Sequence, residues 1–430
     1  MPPPPPTSAT APSLPDELLE EVFLRLPPEE PALLSRASFA SKFWLGLLSG
    51  PRFRRRYGEF HGAPPVLGFL CCRPCSIFPD EQEEPVASFV STTKFAARAP
   101  NDDDRGYTPW DCRHGRVLLG NRYKHDMGLI VWNPITGRRT KLKSPARHWV
   151  AAVLCAVSGC DHRACHEGPF RVVFVGLDRS DHDDDDCVAR ARVYSPETAE
   201  WSEQCPGLHL TADPFIVNQL PPVLVGNAFH LMLVHDDLRV GILKYDLGLN
   251  CLSLIDGPPP EGFTICPTAV LMAMAVGSLG FAHVDSLTLC LWSRQTGSDG
   301  AASWAERAII DLKNHLPIQN PGIRLRPTGS VEGSDIIFVT TDLGIYEINL
   351  KSLQWKKLWK RENVRYFFAL IPYMSFYTPQ GLQNDGDRKK LPEGTSALQQ
   401  TAVRAHDAVG AAPAGGLPRI TEAGEEDLEI

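Results

Sequence analysis

The sequence predicts an α+β multidomain chain, in which a small three-helix domain precedes a large all-β domain. Apolar residues recur at helical spacing near the N-terminus, where Leu18, Val22 and Leu26 lie four residues apart. Beyond Gly62 the apolar runs are short, and Gly, Pro, Asn and Asp interrupt them as they do between strands. The predicted division is a disordered Pro-rich N-terminus at 1–12, a helical domain at 13–60, a β domain at 61–377 and a disordered tail at 378–430.

The first predicted helix begins near Pro15 and ends at the Pro27-Pro28 pair. Ser13 is placed to cap it, and Asp16, three residues later, completes the cap and puts a negative charge in the first turn. Pro15 lies early enough to cost no helical hydrogen bond.

Two shorter helices are predicted after the first. Pro31 starts the second, whose apolar residues lead toward Trp44. The third carries Leu45, Leu47 and Leu48, and the sequence Gly50-Pro51 stops it.

A domain this short cannot bury all of its leucines, because small domains hide a smaller share of their surface. Each exposed Leu or Val forfeits about 1.5–3 kcal/mol that a partner could recover, so the pattern favours a helix-in-groove contact. The alternative is that these helices pack only on the domain that comes next in the chain.

The order of motifs in this region resembles an F-box. The matching residues are Leu14-Pro15, Leu18-Leu19, Ser41-Lys42-Phe43-Trp44, Leu47, Ser49, Pro51 and Phe53. The sequence departs from the pattern at Ser41, where Cys is common, and at Ala40, where Val is common. The resemblance implies a non-catalytic subunit of an SCF-type E3 ubiquitin ligase that binds a Skp-type adaptor and, through it, a cullin. The residues expected to make the adaptor contact, or to pack beneath it, are Leu14, Pro15, Leu18, Leu19, Val22, Leu26, Leu34 and Trp44.

A repeated unit occupies the β region: an apolar strand after a glycine or turn, a strand ending on an aromatic residue, and a polar turn. The aromatic residues are separated by 62, 51, 47 and 54 positions and are Trp132, Tyr194, Tyr245, Trp292 and Tyr346. Spacing near 50 fits one four-stranded propeller blade per repeat. A pair of β-sandwiches is the alternative.

The two ends of this region supply a sixth blade. Strands are predicted at 69–72 and 87–92, and a strand pair at 366–377, so that the chain ends share a blade and leave no exposed edge. The result is an irregular six-bladed propeller, which resembles the kelch-like F-box-associated β domain of plant F-box proteins. This propeller is expected to bind the target that is to be ubiquitinated. The target is expected to be a protein.

Composition limits the other function classes. The net charge of −8 argues against a general nucleic-acid-binding surface. The longest apolar runs, 149–157 and 269–276, are too short to span a membrane and are predicted to be buried strands. The start of the chain lacks the pattern of a secretory signal, and the twelve cysteines have no short framework, so reduced thiols in cytoplasm or nucleus are expected.

Several clusters contain residue types that could form chemical sites, but no catalytic residue, metal or cofactor is expected from them. Cys160, His162, Cys165 and His166 are zinc-ligand types, but they are crowded, so a polar loop is preferred. Small buried side chains are preferred for Cys71, Cys72 and Cys75, and a solvated loop for the acidic run Asp181 and Asp183–Asp186.

The basic residues Arg52, Arg54, Arg55 and Arg56 resemble a nucleic-acid patch when read alone. Because acidic residues balance them within 13–60, the solvated end of the third helix is preferred. Two other functions stay open: a propeller scaffold without a ligase partner, and a propeller enzyme with a metal or carboxylate site in its central channel.

Overall fold

The computed structural model describes residues 15–72, 88–93, 95, 97, 107–121, 128–144, 149–160, 162, 165, 168–179, 187–211, 214–217, 220–235, 239–258, 269–297, 301–320, 322, 324–360, 369–377 and 379. The chain divides into two units, Met1–Gly381 and Leu382–Ile430, and every described residue belongs to the first. Residues 1–12 and nearly all of the predicted tail therefore lie outside the described residues, and the domain boundaries stay predictions.

Four helices open the described chain: α1 (Asp16–Leu24), α2 (Pro31–Ala40), α3 (Lys42–Ser49) and α4 (Pro51–His61). Pro15 occupies the N-cap of α1 and its carbonyl accepts the Leu18 and Leu19 amides, whereas the predicted cap Ser13 lies outside the described residues. Ser41 caps α3 by accepting the Trp44 amide at 3.0 Å.

The fourth helix differs from the prediction of three. Gly50-Pro51 does end α3, but Pro51 is also the first residue of α4. A proline there has the right φ and no amide that the first turn would need. The basic residues Arg52 to Arg56 consequently lie within α4, not at the end of α3. No described helix has the length and apolar character needed to cross a membrane.

In the rest of the described chain all regular structure is strand, apart from a 3₁₀ turn at Leu312–Asn314. The strands are β1 (Val66–Cys72), β2 (Ser88–Ser91), β3 (Thr108–Arg113), β4 (Arg116–Gly120), β5 (Gly128–Trp132), β6 (Arg139–Lys143), β7 (Trp149–Cys155), β8 (Phe170–Arg179), β9 (Cys187–Ser195), β10 (Glu200–Trp201), β11 (Leu208–Leu210), β12 (Phe215–Ile216), β13 (Val223–Val225), β14 (Ala228–Val234), β15 (Val240–Asp246), β16 (Cys251–Asp256), β17 (Ala269–Ala273), β18 (Leu279–Asp285), β19 (Thr288–Thr296), β20 (Ala302–Asp311), β21 (Arg326–Ser330), β22 (Ile336–Thr341), β23 (Gly344–Asn349), β24 (Trp355–Lys360) and β25 (Ala369–Met374).

These strands form six antiparallel sheets, which are the six blades of a propeller. Blades 1 to 5 have the orders β3-β4-β5-β6, β7-β8-β9-β10, β12-β14-β15-β16, β17-β18-β19-β20 and β21-β22-β23-β24, with β11 added to β9 and β13 to β14. The predicted fold is confirmed, and this sheet order excludes the pair of β-sandwiches.

Blade 6 closes the ring from both chain ends. Its order is β2-β1-β25, so two strands from the start of the β region pair with one from its end. Phe69 lies opposite Val90 on one side and opposite Pro372 on the other. Closure places blade 6 between blades 5 and 1, where β25 contacts β21 and β3. The described C-terminal contribution is one strand, where a strand pair was predicted.

The five aromatic residues that define the repeat occupy the third strand of blades 1 to 5. After three of them the chain turns on a side-chain oxygen: Asn133 accepts the Ile135 amide, Asp246 the Leu249 amide, and Asn349 the Ser352 amide. Such Asx turns let the chain reverse into the fourth strand. In these three blades the repeat seen in the sequence therefore marks the junction between the third and the fourth strand.

Neighbouring blades touch near the propeller axis, where β25 contacts β3 and β21, β3 contacts β7, and β17 contacts β13 and β21. We call β3, β7, β13, β17, β21 and β25 the axial strands. Hydrogen bonds place the ends of the axial strands together: the Tyr373 hydroxyl donates to the Gly115 carbonyl after β3, and the Gly333 amide donates to the Ala273 carbonyl of β17. The turns after the axial strands thus share one end of the propeller. We call it the turn end.

Candidate functional site

Two predicted adaptor residues form an exposed apolar strip on α1. Leu18 and Val22 lie one helical turn apart, with 52% and 54% of their surfaces accessible. Pro15, at the helix cap, is also exposed. Leu14 lies outside the described residues.

The other predicted adaptor residues lie deeper. Leu34 is 1% exposed, and Leu19, Leu26 and Trp44 are partly buried against the same core. The fully buried members of this core are Phe23, Leu24, Leu34, Leu48, Phe53, Tyr57 and Phe376. These four side chains therefore support the surface from below, and Leu34 has almost no surface with which to contact a partner.

Two exposed aromatic side chains are missing from the sequence prediction. Phe39, at the end of α2, is 82% exposed, and Phe43, in the first turn of α3, is 50% exposed. The buried face of α2 is formed by Pro31, Leu34 and Ser38. Phe39 comes one position after Ser38, about 100° around the helix, so its position relative to the buried stripe could have marked it as exposed. Phe39 and Phe43 add two large exposed apolar side chains to the small domain that also exposes Leu18 and Val22, which is typical of a domain with an interaction surface.

The arginines of α4 pair with acidic side chains. Arg56 contacts Glu20 at 3.0 Å and Glu21 at 2.5 Å, and Arg52 lies 3.7 Å from Glu20. Hydrogen bonds from Arg56 and then Arg25 hold the pKa of Glu21 below its ordinary value. These contacts tie α1 to α4 and account for two of the four basic residues.

The helical domain also packs on the propeller. The Tyr57 ring meets the Phe376 ring edge to face at 5.9 Å, the Ser35 and Tyr377 hydroxyls lie 3.2 Å apart, and Arg54 donates to the Pro379 carbonyl at 3.3 Å. Phe376 lies two residues after β25, so the contact is at the turn end. One side of the helical domain therefore packs on the propeller, while Leu18, Val22, Phe39 and Phe43 stay exposed.

A buried ionic network lies on the propeller axis. Arg113 of β3 pairs with Asp111 and with Glu332 (3.0 Å to Oε2), and donates to the Pro222 carbonyl. The second Asp111 oxygen accepts the Val153 amide of blade 2 at 2.8 Å, and Glu332 accepts the Leu224 amide of blade 3 at 3.1 Å. Burial raises the pKa of Asp111 to about 6, although Arg113 opposes that shift.

The cavity beside this network has a volume of about 70 Å³. Small-molecule sites usually measure about 300–1,000 Å³. Every oxygen of Asp111 already has a protein partner. Among the described residues, the Asp111 carboxylate therefore serves to connect blade 1 to blade 2.

Of the cysteine, histidine and acidic clusters noted in the sequence, one is brought together. Cys160, His162 and Cys165 converge with Cys155, which ends β7. His166, Cys75, Asp181 and Asp183–Asp186 lie outside the described residues, as do the side chains of Cys71 and Cys72.

Comparison with protein-family models matches residues 12–56 to the F-box domain. The N-terminal helices form an F-box domain. The match covers the segment in which the sequence resembles an F-box, and an F-box implies a role in binding a Skp-type adaptor within an SCF ligase. The comparison with curated proteins finds no match.

The comparison with solved structures finds matches at low similarity. TolB from Acinetobacter baumannii is 11% identical, with 70% of this chain and 65% of that chain covered and a TM-score of 0.35. The six-bladed fucose-recognising lectin of Aleuria aurantia is 9% identical, with 73% and 98% covered and a TM-score of 0.36. A puromycin-hydrolysing peptidase of Mycobacterium tuberculosis is 12% identical, with 59% and 38% covered and a TM-score of 0.32. This chain thus spans slightly less than two thirds of the TolB chain.

Proposed function

We propose that this protein is the substrate-recruiting subunit of an SCF-type ubiquitin ligase. The observation that carries the proposal is an F-box domain with an exposed apolar surface above a packed core. We call the surface of Leu18, Val22, Phe39 and Phe43 the adaptor surface. The Skp-type adaptor covers it and links the chain to a cullin, and the propeller binds a protein target.

The burial pattern separates the predicted contact residues into those that can touch the adaptor and those that support the surface from below. Leu18 and Val22 are each about half exposed, so a partner can still remove water from them. Leu34 and the partly buried Trp44 hold α1, α2 and α3 in place beneath that surface. Their effect on adaptor binding is therefore indirect, through the shape of the domain.

The target binds at the propeller end opposite the turn end. The F-box packs beside blade 6 at the turn end, through Phe376 and Tyr377, and occupies space there. Loops on a rigid scaffold are the usual place for recognition. The propeller is of the plant, kelch-like F-box-associated type, a proposal supported by its aromatic and Asx-turn repeat.

The chain performs no chemistry in this proposal. It raises the effective concentration of target lysines near the conjugating enzyme. The small axial cavity and the occupied Asp111 carboxylate favour this function over a propeller enzyme acting in the channel. The cytoplasm or nucleus is its proposed location, because thiols stay reduced there.

Co-elution with a purified Skp-type adaptor tests the proposal. The full chain should form a one-to-one complex, and Leu18→Arg with Val22→Arg should abolish it, because two charges would be buried without partners. The matched control is Ile309→Arg, which places the same charge at a 62% exposed position on blade 4.

Both variants should keep the wild-type circular dichroism spectrum. Failure of the wild-type chain to bind any adaptor would favour the scaffold without a ligase partner. Binding that the double variant retains would show that the contact lies elsewhere.

A further inference from the structure

Four side chains of metal-binding type meet where β7 joins β8. Cys155 is the last residue of β7, and Cys160, His162 and Cys165 lie in the connection after it. Their three Sγ atoms and a ring nitrogen all lie within 4.8 Å of one another. The Cys165 Sγ and His162 Nδ1 atoms are 3.7 Å apart.

This spacing fits a tetrahedral ion. With Zn–S bonds of about 2.3 Å and Zn–N bonds of about 2.0–2.1 Å, the edges of the tetrahedron measure about 3.6–3.8 Å. The 3.7 Å separation matches such an edge, and the other separations need to shorten by about 1 Å at most. Four protein ligands leave no open position, which is the arrangement of a structural site. We propose that Cys155, Cys160, His162 and Cys165 bind one structural zinc ion.

Backbone amides already point at two of the sulfur atoms. The Val157 amide donates to Cys155 Sγ and the His162 amide donates to Cys160 Sγ, each at 3.4 Å. In both cases the donor is two residues after the cysteine. Hydrogen bonds to sulfur favour the thiolate that a metal requires.

Left-handed backbone positions shape the loop. Gly159 has φ 65° and His162 has φ 59°. The left-handed region is uncommon for a residue with a side chain, and ligand sites are among the places where it persists. Here it brings the imidazole to the same point as the three sulfur atoms.

A second layer of residues from blade 1 supports the loop. The His114 ring stacks on the His162 ring at 4.0 Å with an angle of 12°, and His114 Nδ1 accepts the Cys155 amide at 3.3 Å. Arg116, buried at the start of β4, donates to the Cys165 carbonyl and, at 2.7 Å, to the Gly168 carbonyl. A zinc ion with three thiolates carries one net negative charge, so the Arg116 cation suits it.

Zinc binding replaces the thiol protons on all three cysteines together, because each sulfur binds the ion as a thiolate.

The ligand set differs from the cluster that the sequence alone indicates. That cluster includes His166 and omits Cys155, because Cys155 reads as the end of a buried strand. The antiparallel return of β8 along β7 keeps the strand end beside the loop. Zinc at this point would fix the connection from β7 to β8 in blade 2. His114 and Arg116 of blade 1 already contact that connection.

The test is metal analysis of the full chain, purified with zinc and a phosphine reductant and then dialysed against metal-free buffer. One zinc per chain is expected. With cobalt in place of zinc, a tetrahedral spectrum with thiolate charge-transfer absorption is expected, at the intensity of three Co–S bonds. The proposal would be overturned by less than about 0.2 zinc per chain, which is one fifth of a single site, or by an octahedral cobalt spectrum. Neither result requires a variant.

Variants then assign the ligands. Cys160→Ser and Cys165→Ser should each lower zinc retention at least tenfold, whereas the control Cys290→Ser, a partly buried cysteine of blade 4, should keep one zinc. His166→Ala should also keep it.

Alkylation with peptide mapping provides a readout that does not depend on variant folding. Of the twelve cysteines, Cys155, Cys160 and Cys165 should react only after a chelator removes the metal. A disulfide between any two of these three in the native chain, or loss of zinc only in His166→Ala, would refute the assigned ligand set.

Discussion

The axial ionic network predicts that Arg113→Met destabilises the propeller strongly. Arg113 is almost fully buried and joins Asp111, Glu332 and the Pro222 carbonyl, and thus connects β3 to the turn after β21 and to the segment before β13. Methionine keeps most of the side-chain volume but supplies no donor. Within the described part of the chain, the buried Asp111 carboxylate then keeps only the Val153 amide as a hydrogen-bond partner.

The size of the effect is set by that buried charge. Removing one member of a buried pair costs about 3–5 kcal/mol, a large part of the usual 5–15 kcal/mol of a folded protein. Asp111 already has a pKa raised to about 6 with Arg113 present, and removing the arginine raises it further. A folded-state pKa above the unfolded value of 3.8 means that the folded protein binds a proton more readily than the unfolded chain. The cost of the buried carboxylate is therefore full at neutral pH and decreases as the pH falls through the folded-state pKa. The deficit of Arg113→Met should therefore be largest at pH 7 and shrink toward pH 5.

Urea unfolding followed by tryptophan fluorescence measures the loss of unfolding free energy at pH 7 and at pH 5. Adding Asp111→Asn to Arg113→Met should recover more than half of the loss, since no charge is left unpaired on Asp111. Arg307→Met, at an exposed position of β20, is the control and should change the unfolding free energy by less than about 0.5 kcal/mol. A loss below about 1 kcal/mol for Arg113→Met at pH 7, or no recovery in the double variant, would refute the reasoning.

Three further predictions concern the F-box and blade 3. Leu18→Ala with Val22→Ala should weaken adaptor binding about tenfold to a hundredfold in calorimetry, because each half-exposed side chain has about 0.8–1.5 kcal/mol of burial left to gain; unchanged affinity would contradict it. Leu34→Ala should instead lower the unfolding free energy by about 2–5 kcal/mol in urea titration, since it empties a core position; a loss below about 1 kcal/mol would show that the core collapses around the gap. Burial lowers the pKa of His230 from 6.5 to about 4, so its neutral form supports the fold above pH 6.5 and that support is lost as the pH falls toward 4. Relative to wild type, His230→Asn should therefore gain about 2 kcal/mol between pH 7 and pH 5, and an identical pH profile would count against this.

The fold was predictable because its signals are local and repeated. Leu18, Val22 and Leu26 show helical spacing within a few residues, and the five aromatic positions mark the third strand of five blades. Six blades came from counting these units and from the need to pair the two ends. Repetition let weak individual signals support one another.

Contacts between distant residues could not be predicted in the same way. Gly50-Pro51 ends one helix and starts another, and a helix-stop signal alone does not reveal the next element of the chain. Asp111 and Glu332 are 221 positions apart, and only ring closure joins them through Arg113. Cys155 becomes a candidate ligand because β8 returns beside it.

The F-box and the propeller are coupled through the closure of the ring. The chain leaves α4 and enters β1 within five residues, while Phe376 returns from β25 into the F-box core. Since β1 and β25 pair with each other, both connections to the F-box come from the blade that closes the propeller. Separating the F-box from the propeller would expose the Tyr57 and Phe376 rings and leave the start of β1 and the end of β25 unsupported. In the proposed function, this coupling would hold the adaptor surface and the target-binding end at a fixed separation and angle, which is what a ligase that works by proximity requires of its recruiting subunit.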